Sequence, residues 1–347
     1  MRPDQAPPAD ARLHNLSQWL ASLPATLGLQ PASLRPASDD ASFRRYFRVD
    51  AGTLRAGSLI AMDAPPPQED CRPFVHAASV MAQAGLSVPR VLAQDLERGF
   101  LLLDDFGATT YLQALDERTA PVLYGEASAA LVRLQQASRP GVFAPYDRAL
   151  LMRELDLYPQ WYVARHRGIT LSAAEQETLQ SAFQRLSDSA LAQPQVIVHR
   201  DYHSRNLMLL PGEANPGVLD FQDAVIGAHT YDLVSLLRDA YKAWPEAFVL
   251  DQCIRHWERA RRAGLPVPDD FGEFYRQFEW MGMQRHLKVL GIFARLCHRD
   301  GKPRYLADMP LVLDYLLKAA RRYRDLDTLV RVLERVEGES RASGYTF

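Results

Sequence analysis

Cysteine is scarce in this chain. Only Cys71, Cys253 and Cys297 occur among 347 residues, too far apart for a disulfide framework or for the short spacings of a zinc site. The fold is therefore expected to hold without covalent staples. No apolar run approaches the roughly twenty residues that span a bilayer. The amino terminus has Pro3, Asp4, Pro7, Pro8 and Asp10 where a secretory signal needs a basic start and an apolar stretch, so a cytoplasmic protein is expected. A surplus of one charge is missing too: the net charge of -2 gives no broad attraction to nucleic acid. The 47% hydrophobic content of 347 residues can fill the core of two lobes or domains. The expected partner is a small soluble molecule, with no nucleic acid, no membrane and no obligate protein partner.

Against that background the densest chemistry lies between His199 and Asp223. Asp201 and Asn206 follow His199 closely, and Asp220 opens the run Asp220, Phe221, Gln222, Asp223. Phosphoryl transfer asks a protein mainly for positioning and charge neutralisation. A carboxylate such as Asp201 can orient an acceptor hydroxyl and take its proton late. Magnesium prefers hard oxygen ligands and keeps several waters, so one carboxylate from Asp220 and one amide oxygen from Asn206 suffice beside the phosphates of ATP. Val196 to Val198 reads as a short strand leading into the loop. Leu207 to Leu210 and Val218 to Leu219 read as a hairpin around Pro211, Gly212, Asn215, Pro216 and Gly217. That hairpin places Asn206 and Asp220 at the same end.

His199, Arg200, Asp201 and Asn206 match the protein-kinase catalytic-loop pattern, and Asp220, Phe221, Gln222 is a variant of its metal-binding tripeptide. The variant resembles the aminoglycoside phosphotransferase and choline kinase branch of the kinase fold. The resemblance implies an α+β, bilobal, protein-kinase-like fold with a small β-rich N-lobe and a larger, mostly helical C-lobe. Residues 1–103 would form the nucleotide-binding lobe, and residues 104–347 would carry the catalytic loop, metal site and sugar pocket.

Within the first lobe, Phe43 to Val49 and Leu59 to Met62 predict an antiparallel pair, with a turn over Ser38, Asp39, Asp40, Ala41 and Ser42. A helix is expected from Phe74 to Ala84, and a buried strand over Phe100 to Leu103. The stretch Leu102 to Asp105 resembles the hinge whose backbone receives adenine, making Leu102 and Asp104 candidate nucleotide contacts. The strand Leu59 to Asp63 has no Lys, and the helix from Arg72 has no acidic partner for one. Some arginine must then offset phosphate charge, and Arg44, Arg45 and Arg48 are candidates, with Arg44 and Arg45 preferred.

Beyond residue 103 the spacing of apolar residues predicts helices over Thr110 to Leu115, Val122 to Gln136, Leu150 to Arg165, Glu175 to Leu186, Tyr231 to Tyr241, Val249 to Ala263 and Phe271 to Cys297. A charge-rich final helix, Tyr315 to Glu337, is expected to present a solvated face. Asp232 is expected to pin the catalytic loop and His199 to pack behind it. The acceptor pocket is expected from His203, Arg205, Glu154, Trp161 and Arg285, since aromatic rings cover sugar faces while charged and amide groups read hydroxyls.

The segments Ser38 to Val49, Met62 to Pro66, His199 to Met208, Gly217 to Val225, Thr230 to Asp239 and Gln284 to Leu296 are similar to the anomeric sugar kinases of bacterial cell-wall recycling. This resemblance implies ATP-dependent phosphorylation of the anomeric hydroxyl of N-acetylmuramate and N-acetylglucosamine. Other readings stay open: an aminoglycoside or choline kinase, with Trp161, Trp280 and Tyr275 as a possible choline cage, or an inactive nucleotide-binding protein that has lost the Lys and its acidic partner.

Overall fold

A computed structural model describes residues 10–38, 43–52 and 57–338. The first element among the described residues is α1 (Ala11–Ala21), whose first turn is capped by Asp10 accepting a hydrogen bond from the Leu13 N–H. Five antiparallel strands follow, β1 (Leu29–Ser38), β2 (Arg45–Ala51), β3 (Ser58–Asp63), β4 (Val91–Asp95) and β5 (Phe100–Asp104), in the order β1-β2-β3-β5-β4. Between β3 and β4 runs α2 (Arg72–Gln83).

Alternation along the strands gives the sheet two working faces. Phe47, Val49, Leu59, Ala61, Phe100 and Leu102 pack against Leu16, Trp19 and Leu20 of α1. Tyr46, Arg48, Ile60 and Leu103 point the other way, into the cleft. Arg12 of α1 and Arg45 of β2 both bond the fully buried Asp63, which ties helix to sheet. Neither α1 nor β1 was anticipated from the sequence. The expected pair β2–β3 is present, and Asp39, Asp40, Ala41 and Ser42 of the expected turn lie outside the described residues.

After Asp104 the chain is mostly helical: α3 (Tyr111–Ala114), α4 (Ala120–Gln136), α5 (Arg148–Leu155), a π-helix over Tyr158–His166 and α6 (Ala173–Ala192). Strand β6 (Gln195–Val198) leads into the catalytic loop and pairs with β9 (Val225–Ala228), while β7 (Leu207–Met208) pairs with β8 (Gly217–Val218). Helices α7 (Tyr231–Leu237), α8 (Glu246–Arg262), α9 (Phe271–His298), α10 (Met309–Ala320) and α11 (Asp327–Glu337) complete the lobe. The antiparallel sheet followed by a mostly helical remainder is the bilobal α+β arrangement expected. All three cysteines are free. No helix among the described residues is long and apolar enough to cross a membrane.

Two predicted helices are divided. The run Leu150 to Arg165 breaks after Leu155 because Pro159 lacks an N–H and its ring crowds the preceding turn. The final helix is two helices, since Arg322 and Tyr323 turn toward Glu279 of α9, to which the Arg322 guanidinium donates at 2.6 Å and the Tyr323 hydroxyl at 2.8 Å. Leu329, Val330, Leu333 and Val336 of α11 are buried, so this segment closes the core as well as facing solvent.

Helix α9 is the organising element. Its 28 residues reach about 42 Å at 1.5 Å per residue. Gly291 on α9 lets the chain between α5 and the π-helix approach closely: a Cβ there would lie 2.5 Å from the carbonyl carbon of Leu157.

Candidate active site

Strand β6 delivers His199 to the cleft, and two buried carboxylates then hold the loop. Asp232, in the first turn of α7, accepts from the N–H of His199 at 2.6 Å and of Arg200 at 2.9 Å. Asp239, just beyond α7, accepts from the Ser204 N–H at 3.0 Å and from the Ser204 hydroxyl. His199 has no exposed surface, and burial lowers its pKa to about 4. Kept neutral, it sets its Nε2 against the Leu219 carbonyl oxygen at 3.0 Å and accepts the Asp201 N–H at Nδ1. His199 thus packs the loop against the strand before Asp220. Arg200 and Asp220 have φ values of 78° and 62°, left-handed conformations that non-glycine residues adopt at a cost and that cluster at functional sites.

Asn206 and Asp220 meet at the other end of the hairpin. The Asn206 Nδ2 donates to the Asp201 carbonyl oxygen at 3.0 Å and to Asp220 Oδ2 at 3.2 Å. Gln222, where a protein kinase has Gly, donates to Asp220 Oδ1 at 2.8 Å and fixes that carboxylate. Among the described residues no three His, Cys, Asp or Glu side chains form a metal cage. One carboxylate and one amide side by side fit a hard divalent cation that takes its remaining ligands from phosphates and water.

Asp201 is surrounded by positive charge. Burial pushes its carboxyl up, but Lys288 above all, with Arg285 as the second permanent cation and the imidazoles of His203 and His199 alongside, outweighs that and holds its pKa below the ordinary value. Lys288 is itself held charged against burial by Glu154, 3.2 Å away, and donates to the Tyr231 hydroxyl at 3.0 Å. Glu154 also pairs with Arg200 and accepts from the Tyr146 hydroxyl. An ionised base at the cleft floor follows from these neighbours.

A cavity of about 650 Å³ lies over this floor. Its roof is Ala37, Tyr46, Arg48 and Ile60, and Met208 and Leu219 lie below. On the acceptor side, Arg285, Lys288, Val289, Ile292, Phe293 and Leu296 line it as one stripe of α9. Tyr241 and Tyr305 complete that side, and the Arg205 guanidinium stacks 3.5 Å from the centre of the Tyr241 ring. Asp201, Asn206, Asp220, His203, Arg205, Arg285 and Asp104 are therefore gathered around one space.

Five sequence candidates sit elsewhere. Leu102 faces α1, and strand alternation puts Leu103 in the cleft instead. The same alternation turns Arg45 toward Asp63 and Asp10, while Arg44 lies 3.9 Å from Glu69 and neither arginine lines the cavity. Glu154 is the buried partner of Arg200 and Lys288 just described. Trp161 packs on the π-helix against the core of the helical lobe. Trp161, Trp280 and Tyr275 do not form a cage in the cavity, which they do not line.

Arg48, which ranked behind Arg44 and Arg45, lines the cavity, as do Asp105 of the hinge stretch and Lys288. Arg48 reaches Asp105 through Nε at 2.5 Å and Nη2 at 3.0 Å, just past β5. The period of two from Tyr46 to Arg48 and the step of three from Arg285 to Lys288 are the signals that mark them. Near the missing Lys and its acidic partner, Phe74 of α2 contacts Phe221 with ring centres 4.7 Å apart. An apolar contact here anchors α2 to the segment Asp220 to Gln222.

Residues 33–266 match the phosphotransferase enzyme family, APH. The chain belongs to this family. Among its relatives, the N-acetylmuramate/N-acetylglucosamine kinase of Pseudomonas aeruginosa is 52% identical over 335 residues, covering 93% of this chain and 96% of that protein. The protein of the same name from Pseudomonas putida is 48% identical, covering 97% of this chain and 100% of that protein. A Plasmodium vivax ethanolamine kinase shares the fold with a TM-score of 0.60 at 10% identity, over 89% of this chain and 86% of that one. The phosphotransferase family and the kinase-like site geometry agree.

Proposed function

We propose that this phosphotransferase uses ATP and magnesium to phosphorylate the anomeric hydroxyl of N-acetylmuramate and N-acetylglucosamine. The observation that carries the reading is Asp201 gathered with Asn206, Asp220, Arg285 and Lys288 around one cavity. The names and near-full-length similarity of the Pseudomonas relatives support the two sugars.

Adenine would lie between Ile60 and Met208, its edge toward the backbone from Leu103 to Asp105. Asn206 and Asp220 would hold magnesium, which when bound offsets charge on the phosphate oxygens. Asp201 orients the sugar hydroxyl and accepts its proton as the new bond to phosphorus forms. An anomeric hydroxyl is more acidic than an ordinary alcohol, so a carboxylate with a low pKa is a sufficient base. His203, Arg205 and the apolar residues of the α9 stripe, Val289, Ile292, Phe293 and Leu296, would hold the sugar.

Labelled ATP, magnesium and N-acetylmuramate should give an acid-labile sugar phosphate. An acid-stable product would place the phosphate on another hydroxyl and overturn the anomeric assignment. Asp201→Asn should bind ADP normally while turnover falls by about 100-fold or more.

A further inference from the structure

Arg285 is a buried cation that feels the charge of Asp201 but forms no ion pair with it. The residue is 4% exposed, and its Nε and Nη1 make no hydrogen bond. Among the described residues no carboxylate forms an ion pair with it, although it lines the cavity beside Asp201. An unpaired buried charge is costly, so the geometry calls for an anion that arrives with the reactants. Lys288, one turn along α9, is already committed to Glu154 and Tyr231.

Two anions would be available under the proposed sugar reading, on which this inference rests: the transferring phosphoryl group and the carboxylate of N-acetylmuramate. N-acetylglucosamine has no carboxylate. A buried cation reserved for that group would stay unpaired whenever the neutral sugar reacted. An exposed cation tolerates such vacancy because water solvates it. Arg205, 42% exposed at its side chain and 3.9 Å from Asp308 at the rim, suits a group that one sugar has and the other lacks. Arg285 suits a charge present in every turnover.

We infer that Arg285 is a catalytic residue that donates to the oxygens of the γ-phosphoryl group during transfer, a charge brought from α9 to a fold whose small lobe contains no lysine. In that step the sugar oxygen bonds to the γ-phosphorus, the bond from phosphorus to the β,γ-bridging oxygen breaks, and its electron pair leaves with ADP. The hydroxyl proton passes to Asp201. Arg285 remains protonated and offsets charge on the transferred group.

The test compares wild type, Arg285→Met and Arg285→Lys. Arg285→Met should lower kcat for both sugars by the same factor, on the order of 100-fold or more, with each KM changed by less than about threefold. Arg285→Lys should recover part of the loss. Thermal shift gives a readout apart from turnover: ADP should raise Tm equally in wild type and Arg285→Met, whereas the extra rise with ADP, magnesium and aluminium fluoride should vanish in the variant. Its Tm without ligand should change little, because the substitution breaks no ion pair and leaves the Nε and Nη1 positions with no hydrogen bond to lose. A loss confined to the KM of N-acetylmuramate would make Arg285 a carboxylate reader, and unchanged kcat would remove its role. A fall in ligand-free Tm with loss of ADP binding would assign it to the fold, and each outcome overturns the inference. Wild type inactive on both sugars would overturn the sugar reading alone, since sugar-independent ATP hydrolysis and the aluminium fluoride comparison still test Arg285.

Discussion

Asp232 and Asp239 grip the catalytic loop at opposite ends. One accepts the N–H groups of His199 and Arg200, the other the N–H and hydroxyl of Ser204. Asp201 lies between those points, so its carboxylate is aimed by two anchors on one short stretch around α7.

Removing an anchor should therefore cost both fold and rate. Asp239→Ala leaves the Ser204 N–H without its acceptor in a buried site, a loss of about 2 kcal/mol. Chemical denaturation should show that loss, and kcat should fall more than the KM for ATP rises. A variant with normal kcat would remove Asp239 from loop positioning.

Lys288 should set the acid limit of the reaction. Its charge helps hold the Asp201 pKa below the ordinary value, so Lys288→Met should raise that pKa. Since the ionised form accepts the proton, the acid limb of the kcat profile should move to higher pH, with more activity lost at pH near 5 than near 8. Coincident limbs in the two proteins would show that Lys288 does not tune the base.

Arg205 should separate the two sugars. Its position at the rim predicts that Arg205→Ala raises the KM for N-acetylmuramate about tenfold, a charge-assisted hydrogen bond's worth, and leaves N-acetylglucosamine unchanged. Equal effects on both sugars would assign Arg205 to a shared group.

Two glycines of α9 should respond in opposite directions. A Cβ at Gly282 would meet its nearest neighbours at 3.6 Å, ordinary contact, whereas one at Gly291 would meet the Leu157 carbonyl carbon at 2.5 Å. Gly282→Ala should stabilise the protein by about 1 kcal/mol through helix propensity. Gly291→Ala should destabilise it by about 1–3 kcal/mol through overpacking. Melting curves of both variants check the contrast.

The chemistry of the catalytic loop was legible because consecutive residues carry it. His199 to Asn206 needs only a strand before it and a hairpin after it, and both are local. Arg48 and Leu103 were harder to assign, since a one-residue step decides which face of a strand a side chain occupies. Glu154 was assigned to the acceptor pocket, because its spacing could not show that Arg200 and Lys288 would close over it. The break before the π-helix depended on Pro159, whose effect the apolar periodicity around it concealed. Arg285 was named from its helix, yet its lack of an ion pair is a property of three dimensions.

The contact between Phe74 and Phe221 also bears on inhibitor chemistry. An adenine mimic carrying an amine-directed electrophile would seek the strand lysine of a protein kinase, but β3 offers Ile60 and Met62. Such a warhead would find no lysine to acylate in the small lobe. A compound that extends from the proposed adenine site toward Phe74 would instead meet an apolar wall, and filling it should favour this protein over kinases that keep the strand lysine.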